Sequence, residues 1–183
     1  MDKEKERIIV FIDGSNLYHL VKQLCPNERQ INFSFQKFLK KIVGNRNLVR
    51  VYYYNCPLDR NKDNNAYRSQ QRFFEKLREI PNFKLILCRM QKVKINGNTI
   101  YQVKEEDIHL AVDMVKLAYN NAYDTAILVS SDGDFVPAIN AIQEIGKKVE
   151  DVGFEHKFSF HLKKVCDKFL KLKKIEVEEF FKK

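Results

Sequence analysis

Five short runs of β-branched and aromatic residues, separated by stretches of helical period, constrain this chain more than any other feature. The runs are 7–12 (RIIVFI), 48–54 (LVRVYYY), 83–88 (FKLILC), 125–129 (TAILV) and 148–152 (KVEDV). Each is too short and too uniformly apolar for a surface helix and reads as a buried strand. Between them, apolar residues recur every three to four positions over 34–43, 62–79, 107–120 and 134–146. Ile108, Ala111, Val112, Val115, Ala118 and Tyr119 show this spacing in the third of these. A strand followed by a helix must return to the same edge direction, so the alternation predicts an α/β fold with a central parallel sheet covered on both faces.

Two segments depart from that rhythm. In 90–103, Asn96-Gly97 sits between Val93, Ile95 and Ile100, Tyr101, which predicts a β-hairpin inserted between the third strand and the next helix. From Phe160 onward, Leu162, Val165, Phe169 and Leu172 recur at helical spacing among lysines. That pattern predicts an amphipathic helix, with 155–183 a helical extension packed on the rest of a single domain, 1–183.

With 183 residues, 44% of them hydrophobic, the chain can bury a real core. The apolar run after the charged residues 1–7 is too short for a signal or a membrane span, so the expectation is a soluble cytoplasmic protein with no membrane partner. Cys25, Cys56, Cys88 and Cys166 lie far apart and form no C-x-x-C pair, which excludes zinc-finger and redox motifs and leaves reduced, mostly buried thiols. Oligomeric state is open, a homodimer included.

The net charge of +9 is unevenly placed. Residues 60–104 carry 11 Lys/Arg against three acids, and residues 105–155 carry 11 acids against three Lys. A basic surface beside an acidic pocket suits an enzyme that draws in phosphate and holds cations. Solvated helix faces of opposite sign give the same count, so charge alone does not decide. The basic candidates for a nucleic-acid surface are Arg60, Lys62, Arg68, Arg72, Lys92, Lys94 and Lys104.

The acids have positions that say more. In an open parallel sheet, ligands bind beyond the carboxyl ends of the strands, at the point where strand order reverses. Asp13 follows the first strand in F-I-D-G-S-N, and Asp132 and Asp134 follow the fourth in V-S-S-D-G-D-F. If those strands are neighbours, these aspartates converge, with Asp107 closing the group from the start of the preceding helix. Gathered carboxylates repel unless some protonate or a hard cation joins them, and Mg²⁺ or Mn²⁺ fits. Asn16, Ser130 and Ser131 stand where they could hold water or phosphate oxygens. Each residue also has a plainer role: Asp13, Asp107 and Asp134 are all placed to cap a helix. Asp113, six residues after Asp107, points about 120° away from it and reads as a supporting residue that pairs with a donor.

These residues resemble the NYN domains of the PIN-like nuclease superfamily, in particular the bacterial LabA-like branch. The likeness runs through F-I-D-G-S-N, V-Y-Y-Y, K-x-x-D-I-x-L-A-V-D, Y-D-T-A-I-L-V-S-S-D-G-D-F-V-P and S-x-x-L-x-x-x-C-D-x-F, and so covers nearly the whole chain. It implies a three-layer α/β/α sandwich and Mg²⁺- or Mn²⁺-dependent hydrolysis of RNA, as in an endoribonuclease. Asp13, Asp107 and Asp132 would be the catalytic, metal-binding acids, with Asp134 also at the metal and Asn16 in support. One departure is Glu105-Glu106, where the family has small or apolar residues; whether those charges join the site or face solvent is open.

Two rivals compete with that reading. A haloacid-dehalogenase-like phosphatase also has a strand ending in Asp, but it needs a second Asp where this chain has Ser15. A non-catalytic RNA-binding or protein-interaction module could stack bases on Tyr52–Tyr54, Tyr67 or Phe73–Phe74. Such aromatics are more often core, and a pure binder gains nothing from anions gathered where phosphate must approach.

Overall fold

The computed structural model describes residues 5–95, 98–103 and 105–182, with the hairpin within 90–103 described by its backbone. Six strands form one sheet: β1 (Arg7–Asp13), β2 (Asn47–Asn55), β3 (Phe83–Leu87), β6 (Thr125–Val129), β7 (Lys148–Phe154) and β8 (Lys168–Leu172). Every pairing between them is parallel, in the order β3-β2-β1-β6-β7-β8. The chain builds outward from β1 to β3, then crosses back to add β6, β7 and β8 on the other side. Strand order therefore reverses between β1 and β6.

Side chains on a strand alternate between faces, and β1 divides the interior in two. Ile8, Val10 and Ile12 face α1 (Gly14–Leu24), α2 (Phe35–Val43) and α3 (Asn64–Arg78), with Val177 of α7 (Lys174–Glu179) in the same cluster. Ile9 and Phe11 face α4 (Glu106–Tyr119), α5 (Val136–Glu144) and α6 (Phe160–Val165). The helices contribute one stripe each: Leu17, Leu20, Val21 and Leu24 from α1, and Leu110, Met114 and Ala118 from α4. Both faces are thus covered, and the predicted α/β/α layering holds.

The hairpin expected at 90–103 is present as β4 (Met90–Ile95) and β5 (Asn98–Val103), an antiparallel pair outside the main sheet. The tail departs from the single helix expected there. It breaks into α6, then β8, then α7, so the segment from 155 supplies an edge strand of the sheet as well as helices. The break is set by Asp167. Its backbone N–H donates to Val149 O at 2.8 Å, and its carboxylate accepts from Val149 N at 2.8 Å and from Gln143 at 3.1 Å. That long-range clamp lays the next five residues along β7, where local helical spacing loses to strand pairing.

A candidate active site at the strand switch point

Asp13 ends β1 and begins α1, and its two oxygens do different things. Oδ1 accepts from Asn16 N at 2.8 Å and so caps the helix. Oδ2 accepts from Ser130 Oγ at 3.1 Å, across the crevice between β1 and β6. The cap foreseen for Asp13 is present, and the same side chain also reaches across the crevice. Gly14 makes this turn possible, because a Cβ there would lie 2.4 Å from both Tyr54 O and the Tyr53 ring. The far wall is tied to the near one: Asn16 Oδ1 accepts from Ser131 N at 3.1 Å, and Ser130 Oγ accepts from Asp132 N at 3.1 Å.

Glu106 is the residue that the sequence left open, and it is inside. Only 3% of its surface is exposed. Its carboxylate accepts from Ser15 Oγ at 2.9 Å and from Ser15 N at 3.3 Å, and it lies close enough to Asp13 for the two charges to act on each other. The open N-terminus of α1 therefore serves two carboxylates, Asp13 through Asn16 N–H and Glu106 through Ser15 N–H. Burial raises the pKa of both acids. The negative charge of Asp13 adds to the effect on Glu106, and for Asp13 the hydrogen bonds from Asn16 and Ser130 oppose it. Asp13 and Glu106 thus form a carboxyl pair that is stable when it shares a proton.

Asp107 stands at the rim beside them. Glu105 precedes α4 with φ +93° and makes no side-chain cap, so Asp107 is a first-turn residue, not the N-cap. Partial burial, then the charges of Asp13, Asp132 and Asp134, push its pKa up to about 6. Those three charges are the acids that the sequence set beside it. Asp132 caps the 3-10 turn Gly133–Phe135 by accepting from Asp134 N at 2.9 Å. Asp134 is exposed and caps nothing, and Pro137 falls in the first turn of α5, whose N-cap is Phe135. Asp113 faces elsewhere and accepts from Tyr54 Oη at 2.9 Å, the supporting role expected of it.

The proposed base-stacking aromatics fare differently. Tyr52, Tyr53, Tyr54, Phe73 and Phe74 are all buried and belong to the core. Arg60, Lys62, Arg68 and Arg72 are exposed on α3 and the loop before it. The side chains of Lys92 and Lys94, and Lys104 altogether, lie outside the described residues. Cys56 and Cys88, distant in sequence, come together at the ends of β2 and β3 beside Glu106. Burial, then the Glu106 charge, pushes their pKa values up to about 12 and about 11, so both stay as unreactive thiols.

Do these groups suit a divalent cation? Among the described residues, no three His, Cys, Asp or Glu side chains already enclose a common point. A Mg²⁺ site does not require that, since the ion keeps several waters and binds through one or two carboxylates. The donors are hard oxygens throughout, a buried acid pair lacks a counter-charge, and the buried Ser131 Oγ has no hydrogen-bond partner among the described residues. The residues fit such an ion.

A six-stranded parallel sheet covered by helices on both faces defines a three-layer α/β domain. The family profile described as the NYN domain matches residues 7–173, and this chain belongs to that family. NYN domains are usually nucleases, and members of the PIN-like superfamily generally use divalent metals. An uncharacterized protein of Methanocaldococcus jannaschii is 41% identical over 66 residues, which are 36% of this chain and 28% of that protein. The match thus spans little more than a quarter of that relative's length. A crystal structure of a protein of unknown function from Vibrio parahaemolyticus has the same fold, with a TM-score of 0.68 and 24% identity over 94% of this chain and 96% of that one. Among the described residues, no helix is long and apolar enough to cross a membrane.

Proposed function

We propose that this chain is a divalent-metal-dependent ribonuclease that hydrolyses RNA phosphodiester bonds at the Asp13 crevice, and that it stands in the LabA-like branch of its family. One observation carries the reading: the charges of Asp13, Asp132 and Asp134 all act on Asp107, Asp13 and Glu106 act on each other, and among the described residues none of the five is ion-paired to Lys or Arg. Asp13, Asp107 and Asp132 would hold Mg²⁺ or Mn²⁺, with Asp134 at the rim. Lewis acidity toward a phosphate oxygen, and acidification of an attacking water, are what such an ion supplies when bound. Glu106 positions Asp13 and keeps a proton on the pair until a cation replaces it. The Asn16 amide NH₂ and the Ser131 hydroxyl are the neutral donors placed to orient phosphate oxygens. Arg60, Lys62, Arg68 and Arg72 form part of the surface that draws RNA in, with Lys92, Lys94 and Lys104 added to them on sequence alone, so loss of these charges flattens the salt dependence of binding.

The test is incubation of the purified protein with single- and double-stranded RNA and DNA in Mg²⁺, Mn²⁺ or EDTA. Cleavage of RNA with either metal and none in EDTA is the expected result. RNA bound but intact under all three conditions would leave a non-catalytic binding module in its place.

A further inference from the structure

Beyond the acid crevice, the outer face of α1 carries Ser15, Tyr18, His19 and Lys22 at i, i+3, i+4 and i+7, opposite the buried Leu17, Leu20, Val21 and Leu24. This face forms one wall of a groove of about 530 Å³, within the ~300–1,000 Å³ typical of ligand sites. Ala66, Ser69 and Gln70 of α3 form the opposite wall, and Asn55, Cys56 and Leu58 the floor. Small residues on α3 leave the space open. Gln70 holds the floor in place: it accepts from Leu58 N at 2.8 Å and donates to Cys56 O at 3.0 Å and Asn55 Oδ1 at 3.3 Å.

The groove differs from the crevice in charge and shape while sharing a residue with it. Ser15 lines the groove and also holds Glu106, so the groove adjoins the crevice at this residue. His19, Lys22 and Arg29 line it against a single acid, Glu28, and the Lys22 ammonium is fixed at the wall by Pro26 O at 2.5 Å. Tyr18 and Leu58 offer apolar surface to solvent, 39% and 40% exposed, where every other candidate stacking ring of β2 and α3 save Tyr67 is buried. From Ser15 to Lys22 the stripe runs roughly 10 Å away from the acids at 1.5 Å per residue.

We infer that this groove binds the single-stranded RNA flanking the scissile phosphate, with a base against Tyr18 and Leu58 and backbone phosphate near Lys22 and Arg29. This rests on the ribonuclease reading for the identity of the strand. Cation beside exposed ring is the combination that single strands use, and a duplex keeps its base faces stacked inside.

Binding measured in EDTA separates this claim from catalysis. Fluorescence anisotropy of a labelled single-stranded RNA and of the same sequence as a duplex would be compared for the wild-type chain, Tyr18→Ala/Arg29→Gln, and the groove-filling variant Ala66→Phe. Loss of one stacked base and one phosphate contact should weaken single-strand binding about 10-fold or more, and leave duplex binding unchanged. Both variants alter partly or fully exposed positions, and circular dichroism checks their fold. Unchanged single-strand affinity in both, or an equal loss for duplex, would overturn the inference. Cleavage failing in Mg²⁺ while the groove still discriminates would instead remove the ribonuclease reading alone.

Discussion

The two ends of the sheet treat acidic residues in opposite ways. At the amino ends of the strands, Asp124 accepts from Arg7 N at 2.8 Å, Nε at 3.2 Å and Nη2 at 2.7 Å, and Glu150 pairs with Arg46 at 2.8 and 2.9 Å. There the hydrogen bonds from Arg7 hold the Asp124 carboxyl down at about 2. At the carboxyl ends, Asp13, Glu106 and Asp107 are all shifted upward, first by burial; the Asp13 charge then adds to the shift of Glu106 and of Asp107, and the Asp132 charge to that of Asp13. An acid kept for stability is given a cation by the fold. Acids kept without one, where the strand order opens, are the groups that the proposed function assigns to a cation from outside.

The largest effect should come from breaking the unpaired end. Asp13→Asn or Asp132→Asn should lower RNA cleavage by at least ~100-fold, the loss that follows when transition-state charge goes unsupported. Asn caps helices as well as Asp does, so α1 keeps its start, and relief of repulsion should hold or raise the melting temperature. Single-turnover cleavage and thermal melts on the same samples decide it; full activity in either variant would refute the shared cation site.

A narrower test lies within α4. Asp107 feels Asp13, Asp132 and Asp134, whereas Asp113 is bonded to Tyr54 Oη. Asp107→Asn should abolish cleavage with little change in melting temperature. Asp113→Ala should retain the chemistry and lose about 1–2 kcal/mol of stability, the size of a hydrogen bond to a charged group. An inactive but fully stable Asp113→Ala would mean that the wrong end of the helix had been assigned to the cation.

Which of these features were legible in the sequence follows from their range. Five of the six sheet strands, the hairpin and the adjacency of β1 and β6 that brings Asp13 near Asp132 were, because alternation is local and the switch-point rule relates strand order to where loops gather. Glu106 was not: its burial depends on Ser15, 91 residues earlier, and two adjacent glutamates look like solvated charge from sequence alone. β8 was hidden for the same reason, since Leu162, Val165, Phe169 and Leu172 satisfy helical spacing until Asp167 meets Val149. The Ser15, Tyr18, His19 and Lys22 stripe was visible as a pattern, but any solvated helix face has one.

Asp151 tests whether an unpaired acid can also be a plain cost. It lies fully buried on β7, and among the described residues neither oxygen has a hydrogen-bond partner. Burial pushes its pKa up to about 8 from 3.8, so the folded chain keeps a proton that the unfolded chain releases. The contribution of Asp151 to stability is therefore most favourable below about 4, declines as pH rises toward 8 and levels beyond it. Asp151→Val should add about 1–3 kcal/mol by removing an unsatisfied buried polar group. Asp151→Asn should gain more in melting temperature at pH 8 than at pH 5. If the gain is the same at both, the carboxyl has a partner in solution.

The smallest effect should come from the paired end. Arg7 and Asp124 are each more than a third exposed, so solvent screening limits their pair to ~1 kcal/mol or less despite its geometry. Asp124→Asn should thus cost only a few degrees of melting temperature and leave cleavage untouched. The sign with pH is the reverse of that for Asp151. A carboxyl held down at about 2 contributes stability above its unfolded value of 3.8 and loses it as pH falls through 2. The gap between wild type and Asp124→Asn should accordingly be full at pH 6 and shrink toward pH 2.5. A cleavage defect in Asp124→Asn would mean that the two ends of the sheet are coupled, because Asp124 pairs with Arg7 and Lys147 at the end of the strands away from the Asp13 crevice.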